Sequence, residues 1–479
     1  MPTSGIGGSS DDGHGHGGFA ATVFLFLFLL AFSDAQVSGK MGINYGQLGS
    51  NLPSPYQSIQ ILKSINASRV KLYNADPEIL RLLAGSKIQV SIMVPNQEII
   101  RIASDQTLAN QWVRQNVLQY YPNTMIRFIL VGNEIFSSVS VQEQNYVWPN
   151  LVPAMRNIKN SLKIHNIKNI KVGTPLSMDI LQTTFPPSNG TFRTNVSILP
   201  PLLKFLNGTK SYFFIDVYPY FSYSADPTST SLEFCLFRSR ESYTDPANGL
   251  VYSNMLDQML DSVIFAMSKL GYPNIQLAIS ETGWPSGGDI DQAGANIHNA
   301  ATYNRNLVKK MTANPPMGTP ARPGTMIPTF IFSLYNENRK DGPGTERHWG
   351  VFNENGKAIY DIDLSGQRQE SEYEPLPEGI NNRPYKGKLW CVVRREAGLM
   401  EVERELSTVC SQGNETCEAL APGNDCYEPI SVIWHASYAF SSYWAQFRSQ
   451  GASCYFNGLA KQTTTDPSHG SCKFPSVTV

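Results

Sequence analysis

Eight short runs of mostly apolar residues, separated by helical or loop stretches, constrain this chain more than anything else in it. They are Met41 to Gly46, Arg69 to Asn74, Ile88 to Pro95, Met125 to Glu134, Ile170 to Ser177, Tyr212 to Tyr220, Ile275 to Trp284 and Met326 to Glu337. Apolar residues on successive positions fit strands buried on both faces, as parallel strands are. Between them, Pro55 to Ile65, Leu108 to Tyr120, Val152 to Leu162, Asn254 to Leu270 and Ala293 to Met311 space apolar residues three and four apart, the helical period. Strands alternating with helices in one domain predict an α/β fold, a (β/α)8 TIM barrel closed on itself rather than an open sheet.

At 479 residues the chain has room for such a barrel and a smaller appended module. Composition changes after Asp363: residues 365–388 are polar, acidic and proline-bearing, which predicts a linker between a barrel domain over 36–364 and a module over 389–475. The module region holds Cys391, Cys410, Cys417, Cys426, Cys454 and Cys472, six of the seven cysteines. Their spacings contain no Cys-x-x-Cys pair of the zinc-binding kind, so three disulfides are expected, with the pairing left open by spacing alone. Cys235 lies between apolar residues and reads as a buried, inert thiol.

Phe19 to Phe32 is an apolar stretch followed by Ser33, Asp34 and Ala35, the pattern of a secretory signal peptide over 1–35 cleaved near Gln36. It falls short of the roughly 20 apolar residues that cross a bilayer. Met1 to Gly18 lacks the Lys or Arg that usually opens a signal peptide, and the His14 and His16 pair falls upstream of the cut. Sequons at Asn66, Asn189, Asn195, Asn207 and Asn414 are glycosylation candidates in an extracellular chain. The residues after Cys472 carry no polar spacer and hydrophobic tail, so no lipid anchor is expected, and the protein is expected to be a soluble extracellular monomer. A net charge of -1 with interspersed signs gives no basic stripe; this excludes nucleic acid and favours a neutral polymer as partner.

Two glutamates end strand-like runs: Glu134 in RFILVGNE and Glu281 in QLAISETGWPS. A parallel barrel carries its chemistry at the carboxyl ends of its strands, which lets the two carboxyls face each other across one cleft. Retaining cleavage of a glycosidic bond needs such a pair about 5 Å apart, one as nucleophile and one as acid/base. No metal or organic cofactor is implied.

The strings MGINYGQLGSNLP, VGNE, DVYPYF, SETGWPSGG, SLYNENRKDGPGTERHWGVF and IYDIDL, in that order from about Lys40 to Leu364, resemble those of plant glycoside hydrolase family 17, the glucan endo-1,3-β-glucosidases. The resemblance implies Glu134 as acid/base and Glu281 as nucleophile, with Glu337, Lys340 and Glu346 as a supporting cluster. It also implies that the Asn133 amide binds the sugar hydroxyl beside the reacting carbon. Tyr45, Tyr218, Phe221, Trp284 and Tyr335 sit at or just after strand ends, where flat rings stack on sugar faces. The second run ends Tyr73-Asn74 where the family usually has Tyr-Asp, which bears on substrate preference.

In the last region LWCV, ASYAFSSYW and TTDPSHGSCKF resemble the family 43 carbohydrate-binding module, which binds 1,3-β-glucan. That resemblance implies the pairs Cys391 with Cys454, Cys410 with Cys417 and Cys426 with Cys472, and offers Tyr438, Phe440, Tyr443 and Trp444 as sugar-stacking rings. The expected partner is therefore 1,3-β-glucan, callose or a microbial wall glucan. The expected activity is retaining endo-hydrolysis; the alternatives are transglycosylation of the same polymer and a non-catalytic callose-binding wall protein.

Overall fold

The strands of the large sheet are Met41–Tyr45 (β1), Arg69–Leu72 (β2), Gln89–Val94 (β3), Met125–Val131 (β4), Lys171–Gly173 (β5), Pro175–Ser177 (β6), Phe213–Asp216 (β7), Leu277–Thr282 (β8) and Thr329–Ile331 (β9). They belong to a computed structural model that describes residues 41–137, 141–412 and 415–479. The expected leader over 1–35 and the sequon at Asn414 lie outside the described residues. The strands pair in parallel in the order β5-β4-β3-β2-β1-β9-β8-β7-β6. β5 and β6 are halves of one run interrupted at Thr174; β5 pairs with β4 and β6 with β7. The ring therefore closes through a single fifth stave, and the architecture is a (β/α)8 barrel.

Two kinds of apolar surface hold it. Outward residues such as Val70, Leu72, Val90 and Ile92 pack under the helices in one continuous core. Inward residues Met93, Phe128, Leu130, Phe214, Ala278 and Phe330, all from strands, fill the lumen. Phe128 meets Phe214 edge-on with ring centroids 5.1 Å apart, and burying one such ring is worth roughly 2–3 kcal/mol. Asn44, Lys71, Asp216 and Ser280, also buried strand residues, form a polar layer instead.

The helices begin where side chains answer their first free N–H groups. Ser54 and Gln57 form a capping box for Pro55–Ser64, Asn254 caps Met255–Lys269 and Asn296 caps Ile297–Met311. Val141–Ile164 runs past the predicted Val152 to Leu162 with Pro149 and Pro153 inside it. Proline reads as a breaker in sequence because it lacks an N–H, yet packing carries the helix through. Pro77–Leu82 and Ile99–Ser104 were not predicted; they are too short to display a period.

The C-terminal module is a three-stranded antiparallel sheet with Lys388–Val393 between Ala460–Thr463 and Val477–Thr478. Two helices, Leu399–Gln412 and Val432–Phe447, cover it. The bonds are Cys391–Cys454, Cys410–Cys417 and Cys426–Cys472. Because Val477–Thr478 belongs to the sheet, the module continues beyond the predicted limit at 475. Phe440 and Trp444 lie in its core and Tyr438 is buried beside Phe474, so these rings are not available to sugars.

Residues 365–388, the expected linker, lie against the barrel. Asn382 Oδ1 accepts from Asn296 Nδ2 at 2.9 Å and Asn299 Nδ2 at 2.7 Å, while Asn381 Nδ2 donates to the Ala295 carbonyl at 2.9 Å. The Arg305 guanidinium lies 3.8 Å from the centre of the Tyr373 ring. Low apolar content reports the lack of an own core, not the lack of partners: this polar strap answers polar groups of the barrel. Asn66, Asn189, Asn195 and Asn207 are exposed, although Asn66 Nδ2, the atom that would carry a glycan, donates to Asp363 Oδ1 at 2.9 Å. Cys235 is buried, and burial pushes its thiol up to about 12, so it stays protonated.

Candidate active site

The carboxyl ends of the staves open into a cleft of about 1390 Å³ whose walls include both Glu134 and Glu281. Glu281 lies within β8 and is 5 % exposed. Its Oε1 accepts from Lys71 Nζ at 2.6 Å and from Tyr73 OH at 2.7 Å, and its Oε2 accepts from Tyr218 OH at 2.7 Å. Burial alone would raise this carboxyl, but the Lys71 charge and the three hydrogen bonds outweigh it and hold the group below the usual glutamate value. Glu281 is thus stabilised as an anion.

Glu134 is treated in the opposite way. It follows β4 on a left-handed turn, with Gly132 at φ 73° and Glu134 itself at φ 44°. A Cβ on Gly132 would stand 2.8 Å from Ile99 and Ile135 side chains, so glycine serves both the angle and the fit. A non-glycine residue at positive φ is strained, and such strain collects at functional positions. Burial, then the charge of Glu281, raise the Glu134 carboxyl to about 7 despite opposition from Lys71. Two carboxyls at one cleft are driven apart in proton affinity, the arrangement that separates an acid from a nucleophile.

The supporting residues converge on the same cleft. Glu337, 3 % exposed, accepts from the Leu48 N–H at 2.8 Å and pairs with Lys340 Nζ at 3.2 Å. A Cβ on Gly46 would fall 2.2 Å from Glu337 Oε1, so only glycine leaves room for this carboxylate. Lys340 also sits 4.2 Å from the centre of the Phe332 ring. Glu346 lines the cleft, and burial raises its carboxyl although Lys340 opposes the shift. Asn133 lines it too; its backbone N–H donates to Asn96 Oδ1 at 2.7 Å. Asn74 is another wall residue, and its Oδ1 accepts from the Asp76 N–H at 3.2 Å.

The aromatic expectations divide. Tyr218 and the half-exposed Phe221 line the cleft with their rings 5.5 Å apart. Tyr45 reaches the wall but is 3 % exposed, its hydroxyl bonded to Ser58 Oγ at 3.0 Å. Trp284 and Tyr335 are core residues, contrary to the expectation. Trp284 is wholly buried against Tyr220 and Tyr303 and donates Nε1 to the Gly294 carbonyl at 2.8 Å. Tyr335 is buried and donates to Ser58 Oγ at 2.9 Å. Rings at strand ends also have to seal the layer between barrel and helices, and burial assigns these two to that task.

Sequence reading missed Lys71, Tyr73 and Asp216. The signal for Lys71 was there: a lysine inside a buried strand run cannot stay unpaired, and Arg69, Lys71 and Tyr73 alternate with Val70 and Leu72. Asp216, 2 % exposed, accepts from Ser280 Oγ through Oδ1, and its Oδ2 has no hydrogen-bond partner among the described residues. Burial and then the Glu281 charge push this carboxyl well above the usual aspartate range. Phe185 and Tyr243, whose rings lie tilted with centroids 4.9 Å apart in the cleft wall, lie outside the eight runs and gave no signal.

Comparison with known proteins agrees with the geometry. Residues 41–364 match the model of glycosyl hydrolases family 17, and residues 389–461 match that of the X8 domain. The chain is 61% identical over 445 residues to a protein of Arabidopsis thaliana named probable glucan endo-1,3-beta-glucosidase A6, covering 92% of each chain. Among solved structures it is similar to a β-1,3-glucanase and allergen of Cryptomeria japonica pollen. That match has 40% identity and a TM-score of 0.64, and covers 68% of this chain and 99% of the other. A plant β-glucan endohydrolase, one of two with distinct substrate specificities, matches at 33% identity and TM-score 0.61, over 67% of this chain and 99% of the other.

Proposed function

The chain belongs to glycosyl hydrolases family 17 and carries an X8 domain behind its barrel, and from that premise we propose that it is an endo-hydrolase of 1,3-β-glucan in which Glu281 is the nucleophile and Glu134 the acid/base. The observation that carries the assignment is the contrast between the two carboxyls. One is held ionised by Lys71, Tyr73 and Tyr218, and the other is pushed up to about 7.

In this reading Glu281 attacks the anomeric carbon while Glu134 gives its proton to the departing glycosidic oxygen. The attack consumes the negative charge on Glu281, and the three donors around it keep the carboxylate aimed until that moment. Once the leaving chain is neutral and gone, Glu134 is an anion and takes a proton from the incoming water, which releases the sugar with retained configuration. Lys340, Glu337 and Glu346 are assigned to keeping the charge pattern of the cleft wall, and Tyr218 and Phe221 to contact with the sugar. The X8 domain is assigned to holding the polymer, which raises local substrate concentration without altering the chemistry. The protein acts outside the cell on callose-like glucan. The apolar stretch before Ser33 and the cysteine-rich module support that placement, and no helix among the described residues is long and apolar enough to cross a membrane.

The test is reducing-sugar release from a linear 1,3-β-glucan by the protein and by Glu281→Ala, with binding to insoluble glucan measured in parallel. Release that disappears in the variant while binding persists is the expected result. Binding without release by the unmutated protein would overturn the hydrolase reading and favour a wall-binding role. Products longer than the substrate would mark transfer to sugar rather than to water.

A further inference from the structure

The module does not hang from the barrel; it docks on two loops at the cleft mouth. The first, over residues 338–347, follows the last stave and carries Lys340 and Glu346. Tyr455 OH donates to the Asn338 carbonyl at 2.8 Å, and Ser453 Oγ donates to the Gly342 carbonyl at 2.7 Å. Between them Arg347 donates to the carbonyls of Lys340 at 2.9 Å and Gly342 at 3.1 Å, and its guanidinium lies 3.5 Å from the centre of the Tyr455 ring. The second loop follows β8. Gln462 accepts from the Ile290 N–H at 2.9 Å and donates to Asp291 Oδ1 at 3.0 Å, and Arg448 pairs with Asp291 Oδ2. Asp289, beside that pair, accepts from the Gly344 N–H at 2.7 Å and so ties the second loop back to the first.

Barrel residues hold the first loop at its two ends, and Glu337 also takes Lys340 in an ion pair at 3.2 Å. Arg339 N–H donates to the Leu48 carbonyl at 3.0 Å at its start, and Thr345 N–H to Gln292 Oε1 at 2.9 Å near its end. The stretch between, with Lys340 on it, has its carbonyls answered by Arg347 and Ser453. We infer that the module completes the catalytic cleft: Tyr455 and Ser453 are positioning residues that hold the 338–347 loop directly, and Arg448 fixes the second loop that is tied to it, so that Lys340 and Glu346 are kept against the reacting carboxyls. This rests on the reading of the cleft as a 1,3-β-glucan hydrolase site. A module joined only as a tether would aid capture of insoluble polymer and do nothing for a short soluble chain. A module that positions the loop affects both, because small displacements of a charged group in a cleft cost rate.

The experiment uses the full chain and measures hydrolysis of short, soluble 1,3-β-glucan oligosaccharides by Tyr455→Ala, Tyr455→Phe and Asp291→Ala. Tyr455→Ala is expected to lower kcat/KM by about tenfold, mainly through kcat. Tyr455→Phe keeps the ring on Arg347 and loses only the bond to Asn338, so it is expected to fall between Tyr455→Ala and the unmutated protein. Asp291→Ala loosens the dock from the barrel side and leaves the module's own residues intact. Binding to insoluble glucan reports whether the module is folded; if Tyr455→Ala loses it, Asp291→Ala decides.

A second readout is the alkaline limb of the pH profile, expected to move to lower pH. The charges that act on Glu134 are those of Glu281, Lys71, Asp179 and Glu346. A freed loop takes Glu346 away and admits water, removing two influences that raise the acid. Variants that all stay within about twofold of the unmutated protein on the soluble substrate, with an unmoved limb, overturn the inference. Losses confined to insoluble polymer do the same. An unmutated protein inactive on every 1,3-β-glucan overturns the proposed function and takes this inference with it.

Discussion

The barrel and the module solve the problem of staying folded by different means. The barrel has an inner and an outer apolar core, and its one cysteine, Cys235, is free. The module has two small clusters and is cross-linked by three disulfides. A large domain buries enough surface to stabilise itself, and a small one with much surface per residue relies on covalent constraint. The same difference governs aromatic rings. The barrel leaves Tyr218 and Phe221 at its mouth because other rings fill its core. The module puts Tyr438, Phe440 and Trp444 inside because it has little else with which to build one. Size therefore bears on which rings are free to touch a ligand.

The largest expected effect belongs to the barrel alone. Glu281→Gln should lower kcat by about 10⁴-fold or more while glucan binding by the module persists, measured by reducing-sugar release and pull-down. Loss of binding in this variant would break the division of labour between the two regions.

Next is Lys71→Met, which removes the cation from Glu281 and leaves burial as the dominant influence. The nucleophile's proton affinity then rises, so the acid limb of kcat/KM moves to higher pH, and kcat should fall by about 10²-fold. In the unmutated protein Glu134 must be protonated and Glu281 ionised. Activity should therefore fall as pH rises through about 7 and fall again only as pH drops below the ordinary glutamate range.

The module supplies the third test. Replacing Cys391 and Cys454 together by serine opens a loop spanning 63 positions. In the chain-entropy account this costs about 4 kcal/mol. Insoluble-glucan binding should be lost, and hydrolysis of short oligosaccharides should drop only by the roughly tenfold assigned to docking. A thermal scan followed by circular dichroism should show the barrel transition surviving. Collapse of the barrel with the module would show that the two do not stand apart in stability.

The smallest expected effect is that of Phe221→Ala. The ring is half exposed at the cleft, so its loss should raise KM a few-fold and leave kcat and stability nearly unchanged. The same substitution at Trp284 should instead unfold the barrel top, at about 3–5 kcal/mol.

How much of this was readable beforehand differs by kind of residue. The eight staves were legible because a strand buried on both faces leaves a continuous apolar run. The residues at their carboxyl ends were legible because a parallel barrel puts its ligands there. Trp284 and Tyr335 were misplaced in the groove because position at a strand end does not say which way a ring turns. The contacts of residues 365–388 were not legible because their asparagines find partners on Ile297–Met311 and its cap, far away in sequence.

The linear order of residues specifies the alternation of strand and helix, the change to a cysteine-rich module after residue 388, and the two glutamates at strand ends. These depend on local periodicity and composition, which a chain displays one segment at a time. The contrast in proton affinity between those glutamates arises from the folded ring. Closure of the barrel brings Lys71 and Tyr73 from β2 and Tyr218 from beyond β7 onto one carboxylate of β8, while burial and that same negative charge press on Glu134. Charge acts through space over a few ångströms. Residues 210 positions apart, as Lys71 and Glu281 are, acquire that distance only when the ring has closed.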